Sequence, residues 1–334
     1  ENGSVDMDEF DPFEGMTDDE LDAMVSDLGS EPDGFAGEDG FRSGFVALVG
    51  RPNAGKSTLM NACMGTKMAI TSPVAQTTRR RMRGVVRREG VQIVFVDTPG
   101  LHKPHDSLGS ELNKSALAEL GDVDVLCFLI DASQPIGRGD AWVADRVAKS
   151  PAKRILVLTK ADLASPERVL EQISAARELC EFDDVIVLSA TERFNVDSFI
   201  DLVASYLPEG PKWFPDTMST DASDDTIVAE FVREKLLMRT REEVPHSVGV
   251  ICDSMERRRG VLHVHAVIYV EREGQKGIII GKKGEMLKHV GIDARRDLER
   301  IFGCKVFLEL EVRVKPNWRE DAREIRRLGY AADE

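Results

Sequence analysis

At 334 residues the chain has room for about two domains, and a hydrophobic content of 42% is that of a folded protein. Its net charge of −15 argues against nucleic acid only until it is located: residues 1–41 hold 15 Asp and Glu and no Lys or Arg, and beyond them 44 acidic residues balance 44 basic ones. Five cysteines, none near another in sequence, exclude a disulfide framework or a zinc spacing, and the longest strongly apolar run, Val125 to Ile130, is too short to span a bilayer. These features and the lack of a secretory signal ahead of the first domain predict a cytoplasmic protein with reduced thiols.

Residues 1–42 read as a disordered acidic tail. Within it Thr17 and Glu20 have the spacing of a capping box ahead of Leu21, Met24, Val25 and Leu28, which predicts at most a transient helix. Residues 43–207 form the first predicted domain. Apolar runs at Val46–Val49, Val85–Val86, Ile93–Val96, Val125–Ile130, Ile155–Leu158 and Val185–Leu188 alternate with helical patterns. This order predicts a mostly parallel sheet covered on both faces, with ligands at the carboxyl ends of the strands.

After the first run comes GRPNAGKST, Gly50 to Thr58, in the strand-to-helix setting that a phosphate-binding loop requires. Gly50 and Gly55 permit a tight turn, so that amides from about Asn53 through Ala54 to Ser57 can converge on one anionic group. Lys56 supplies a cation for the outer phosphates, and the Ser57 hydroxyl is a hard oxygen suited to Mg²⁺. AQTTRRRMR, Ala75 to Arg83, is placed to sense a third phosphate, with Thr78 preferred to Thr77 as a further Mg²⁺ oxygen. Its arginines read either as a solvated face or as a contact for RNA or a neighbouring subunit. DTPG follows the third run: Asp97 can hold a water on Mg²⁺, and the Gly100 amide can reach the terminal phosphate. TKAD follows the fifth, where the Asp162 carboxylate can accept from two guanine N–H groups that adenine does not offer. A backbone amide of Ser189-Ala190 can bond the guanine carbonyl oxygen.

Residues 208–223, rich in Pro, Gly, Asp and Ser, read as a linker. From 224 to 330 the predicted order is a helix (Ile227–Arg239), strands at Ser247–Arg257 and Val261–Arg272 joined by a turn at Arg258-Arg259-Gly260, a helix, a turn, a second helix and a closing strand. In that last strand Val306, Leu308, Leu310, Val312 and Val314 alternate with mostly polar neighbours. The turn is Gly281-Lys282-Lys283-Gly284, flanked by Lys276 and Lys288. Its small residues let a nucleic-acid backbone approach, and the lysines can pair with phosphates. Arg295, Arg296 and Arg300 read as ordinary helix-surface charges.

GRPNAGKST, QTTR, DTPG, TKAD and SA together resemble the motif set of translation-factor-type GTPases, and specifically the Era family, while residues 224–330, down to VKPNWRED at Val314–Asp321, resemble that family's KH domain. The resemblance implies an α/β P-loop GTPase with a doubly wound, mostly parallel sheet, followed by a smaller α+β type II KH domain. It implies GTP/GDP and Mg²⁺ as cofactors, with Lys56, Thr78 and Gly100 serving hydrolysis. Gly50, Asn53 to Thr58, Asp97, Gly100, Thr159, Lys160, Asp162, Ser189 and Ala190 would hold the nucleotide, and Ser57, Thr78 and Asp97 the metal. Single-stranded RNA near the 3′ end of small-subunit ribosomal RNA would bind at Lys276, Gly281 to Gly284 and Lys288 of a monomer that assists assembly of the small ribosomal subunit. A peripheral association with the inner face of the cell membrane is a secondary expectation. Two departures stand out. Thr159 replaces the Asn of NKxD, and Leu101 occupies the place of a water-orienting Gln, which predicts slow intrinsic hydrolysis. In relatives with Asn at the position of Asn53 a potassium ion adds positive charge, and the same is expected here.

Overall fold

The computed structural model describes residues 40–72, 74, 77–104, 106–118 and 120–331; the helix expected between Thr17 and Leu28 lies outside them. The first domain runs β1 (Arg42–Gly50), α1 (Lys56–Met64), β2 (Met82–Arg88), β3 (Val91–Asp97), α2 (Ser107–Ala118), β4 (Val125–Asp131), α3 (Arg138–Val147), β5 (Lys153–Thr159), α4 (Pro166–Arg177), β6 (Asp184–Val187) and α5 (Val196–Tyr206). Its six strands lie in the order β2-β3-β1-β4-β5-β6. Only the β2–β3 pair is antiparallel.

Successive residues of β1 serve opposite faces. Val46 and Leu48 join the core beneath α1 and α5 with Leu59 and Phe199, while Ala47 and Val49 join that beneath α3 and α4 with Val143 and Ala176. A strand buried on both sides has no polar face, which is why these runs read as unbroken and not as alternating.

The segment after α5 is not a free tether. Ser43 Oγ donates to the Pro211 carbonyl at 2.6 Å, and the Gln92 side-chain carbonyl accepts from the amides of Trp213 at 2.7 Å and Phe214 at 3.0 Å. The Val85 amide donates to the Ser219 carbonyl at 2.9 Å, and the Arg83 amide to Asp221 at 2.9 Å. Residues 208–221 thus form an ordered strap along the β2 side of the sheet. Its composition marked it as irregular, and irregular it is, but hydrogen bonds fix it.

The second domain comprises α6 (Asp224–Arg239), the one-turn α7 (Val244–Ser247), β7 (Gly249–Arg258), β8 (Val261–Val270), α8 (Glu273–Ile280), α9 (Glu285–Phe302), β9 (Lys305–Val314) and α10 (Ala322–Arg327). Ser247, expected at the start of a strand, belongs to α7 instead. In the β7–β8 turn Arg259 and Gly260 both adopt positive φ, at 49° and 82°, matching the twist of a two-residue hairpin. β8 also pairs in parallel with β9. The core of this domain is continuous with that of the first: Val46, Phe199, Phe231 and Val312 belong to one cluster. A second contact places Leu108 and Leu112 of α2 against Trp318, Leu328 and Tyr330. Among the described residues no helix is long and apolar enough to cross a membrane.

Trp318 is fully buried and donates its ring N–H to the Ser247 carbonyl at 2.9 Å. Trp318→Ala should cost about 3–5 kcal/mol, read as a lowered urea midpoint with unchanged slope. An unchanged midpoint would contradict the packing described.

Candidate functional site

The sheet ends bring the phosphate loop, the segment before β2 and the DTPG segment around one cleft of about 490 Å³, lined by Asn53, Gly55, Lys56, Ser57, Thr58, Thr78, Gly100 and Lys160 among others. Asn53 and Gly55 both take left-handed backbone, φ 65° and 93°, which wraps the loop ahead of the first turn of α1. Lys56 is buried and donates to the carbonyls of Arg51 at 3.0 Å and Gly50 at 3.3 Å. Gly100 approaches the loop so closely that a Cβ would stand 2.8 Å from the backbone of Pro52, and the Leu101 amide donates to the Gly50 carbonyl at 3.2 Å. Any side chain at position 100 would push these two segments apart.

Ser57 Oγ donates to Asp97 Oδ2 at 2.6 Å, while Thr78 Oγ1 lies 3.1 Å from the same oxygen and 2.9 Å from Ser57 Oγ. Thr77, the alternative, turns away to the carbonyls of Val74 and Ser72. Asp97 is 1% exposed, and its other oxygen, Oδ1, is buried without a hydrogen-bond partner. Burial raises the Asp97 pKa, opposed by the Ser57 hydroxyl and the Lys56 ammonium. A cluster of hard oxygens with one acceptor left over fits Mg²⁺. Ser57, Thr78 and Asp97 would hold that ion, which when bound supplies positive charge to a phosphate chain.

At the other end of the cleft Thr159 is buried, its hydroxyl 2.8 Å from the Ala54 carbonyl and 3.2 Å from that of Ile130. The replacement for Asn therefore ties β5 to the phosphate loop. Lys160 holds φ 56° and pairs with Asp131 at 2.6 Å, a partner that no sequence signal indicated. Asp162 is exposed in the short turn after β5. The Ser189 amide donates to the Phe194 carbonyl at 3.1 Å, so of the Ser189-Ala190 pair the Ala190 amide is the donor left for a base. Leu101 is 1% exposed and packed in the core with Val49 and Val143.

The arginines before β2 contradict both sequence readings at two positions. Arg79 is 2% exposed and donates to carbonyls of the second domain: Val248 at 2.6 Å, His246 at 2.9 Å and Pro245 at 3.4 Å. Its guanidinium also lies over the rings of Trp318 and Tyr330. Burial, with repulsion from Arg233, pulls its pKa down to about 10. Arg80 donates to the Leu328 carbonyl at 2.7 Å. Arg79 is closed off from water, Arg80 is half-buried, and both side chains join the two domains.

In the second domain the GKKG turn has positive φ at Gly281, Lys283 and Gly284. A Cβ on Gly281 would stand 2.6 Å from Met286 Cβ, so the residue must be glycine. Lys282, Lys283 and Lys288 are exposed, while Lys276 is half-buried near Glu311, whose carboxyl is held below its usual range chiefly by the Arg313 hydrogen bond and to a lesser degree by Lys276. Beside the turn is a groove of about 340 Å³ lined by Gly284, Leu287, Lys288, Arg295, Phe307 and Leu310, among others. Arg295, read as an ordinary surface charge, stands in its wall, and the half-exposed Phe307 was not indicated by its strand pattern. Arg313, Arg319 and Arg327, part of a basic run in the sequence, are engaged within the chain by Glu311, by Asp106 with Glu271, and by Glu324.

Residues 45–160 match the family model of the 50S ribosome-binding GTPase, and residues 243–319 that of the KH domain. A crystal structure of Era in complex with MgGDPNP and nucleotides 1506–1542 of 16S ribosomal RNA is 40% identical to this chain, with a TM-score of 0.85, covering 87% of this chain and 100% of that one. A substituted Aquifex aeolicus Era bound to GDP and aluminium fluoride is 39% identical, with a TM-score of 0.84 and the same coverage of both chains.

Burial holds Lys56 down at about 8, with Asp97 pulling the other way. Phosphates favour the ammonium form, so above that pH binding must take up a proton that the free protein has lost. Triphosphate affinity should be flat between about pH 6.5 and 7.5 and fall severalfold by about pH 8.5, with proton uptake detectable by calorimetry in two buffers. Equal affinity across that range rules out the depressed lysine.

Proposed function

Because this chain belongs to the Era family of GTPases, we propose that it is a GTP-hydrolysing switch that binds single-stranded RNA near the 3′ end of small-subunit ribosomal RNA and assists assembly of the small subunit. The observation that carries this reading is the meeting of Ser57, Thr78 and Asp97 oxygens within 3.1 Å beside Lys56, in a chain that also holds an exposed GKKG turn over a groove. Asp162 reads guanine, the Ala190 amide takes its carbonyl oxygen, and Lys160 lines the cleft between them and the phosphates. Lys282, Lys283 and Lys288 pair with RNA phosphates, while Phe307 and Arg295 offer faces on which an unstacked base can lie. Lys276 acts at longer range. The protein works as a cytoplasmic monomer, with residues 43–207 as the GTPase unit and 224–330 as the RNA reader.

With Leu101 buried, no side chain at that position aligns the attacking water, and charge stabilisation falls to Mg²⁺, Lys56 and main-chain amides. A potassium ion held by Asn53 would add to it; equal GTPase rates in potassium and sodium buffers would remove that part of the proposal.

The whole reading is tested by binding to an RNA carrying the 3′ end of small-subunit ribosomal RNA. Changing Lys282 and Lys283 together to Glu should weaken RNA binding by about tenfold or more at moderate salt and leave GTP affinity intact. GTP, but not ATP, should displace bound GDP. RNA affinity identical with GTP, GDP and no nucleotide would remove the switch.

A further inference from the structure

One face of α6 is turned toward the loop that carries Thr78. Residues 230, 233, 234 and 238 recur at helical spacing; the last three border that loop, and Glu230 braces Arg233. Glu234 Oε1 accepts the Thr71 amide at 2.8 Å, and its other oxygen accepts from Lys67 at 2.6 Å and Lys235 at 2.7 Å. Arg233, fully buried, pairs with Glu230 at 2.6 Å and donates to the carbonyl of Thr77. Met238 stands in the wall of the cleft with Ile70, Thr71 and Ser72. On the far side of Thr78, Arg79 is locked into carbonyls of residues 245–248.

Thr78 thus has its two neighbours in the chain fixed by the other domain: Thr77 through its carbonyl and Arg79 through its guanidinium. A strut between domains has no need of main-chain groups in this loop; these contacts bond the backbone of Thr71 and Thr77, where they constrain the path of the chain. In GTPases generally such a loop is ordered by the third phosphate and its Mg²⁺ and released on hydrolysis.

We propose that Arg233 and Glu234, with Arg79, are positioning residues for GTP hydrolysis: they set Thr78 Oγ1 against Ser57 and Asp97, so that the KH domain completes the hydrolytic centre from within the same chain. The proposal rests on the GTPase reading above and adds the residues that prepare its metal-side threonine. Since Thr78 serves the triphosphate state, the effect belongs to turnover and Mg²⁺ use and not to GDP binding.

The test uses the full chain with Arg233→Lys, which keeps a cation for Glu230 and shortens the reach to Thr77. The expected result is GDP affinity within about twofold of the parent, kcat lowered about tenfold, and a higher Mg²⁺ concentration for half-maximal rate. A variant with a lower unfolding midpoint but the parent's kcat and Mg²⁺ dependence would make Arg233 a structural strut and overturn the proposal. Should Arg233→Lys fail to fold, Glu234→Met, which keeps the length of the side chain, takes the acceptor away from the Thr71 amide and leaves the Arg233–Glu230 pair untouched, carries the same measurements with the same two outcomes. A parent protein that turns over no GTP overturns the GTPase reading itself, and that is seen before any variant is made.

Discussion

A guanidinium shut away from water is tolerated only where acceptors surround it, and the placing of Arg79 is the constraint on which the rest of this molecule turns. Its acceptors are main-chain carbonyls of Pro245, His246 and Val248, and its faces are covered by Trp318 and Tyr330. None of these lies in its own domain. The loop between α1 and β2 is therefore built jointly by two units, and the charges around it follow the same rule. Glu230 answers Arg233, and Glu234 and Asp297 answer Lys67 and Lys235. Taking one member of such a set away strands its partner, which costs far more than the set contributes as a whole.

What was legible in the sequence is what short stretches of chain accomplish by themselves. A phosphate-binding loop needs only consecutive amides, one lysine and one serine at fixed spacing, so nine residues suffice to suggest one. The sheet was legible because strands buried on both faces are apolar without a break. The GKKG turn was legible from glycines that must take backbone no other residue takes easily. Of the two threonines in the segment before β2, Thr78 is the one whose hydroxyl reaches the Asp97 carboxylate.

What could not be read needed the third dimension. Arg79 and its acceptor Val248 are separated by 169 positions, and nothing local in AQTTRRRMR distinguishes a side chain that meets water from one that meets another domain. The Thr159 substitution looked like the loss of an amide, whereas its hydroxyl bonds the phosphate loop that follows β1, two strands away in the sheet. Of Ser189 and Ala190, the amide already spent inside a turn became apparent only when Phe194 was seen to fold back. Arg295 and Phe307 face one groove from different elements, an α-helix and a strand whose relative placement no periodicity encodes.

The strap from residue 208 to 221 bears on a different hazard. β2 is the outermost strand of its sheet, and an unpaired rim of that kind is a template on which foreign strands can grow. The amides of Arg83 and Val85 are taken by Asp221 and Ser219, and the Arg87 guanidinium is spent on the carbonyls of Pro215 and Met218. The passage between domains thereby doubles as a selvedge: it seals the border of the sheet, and so removes one route by which the chain could become a seed for fibres.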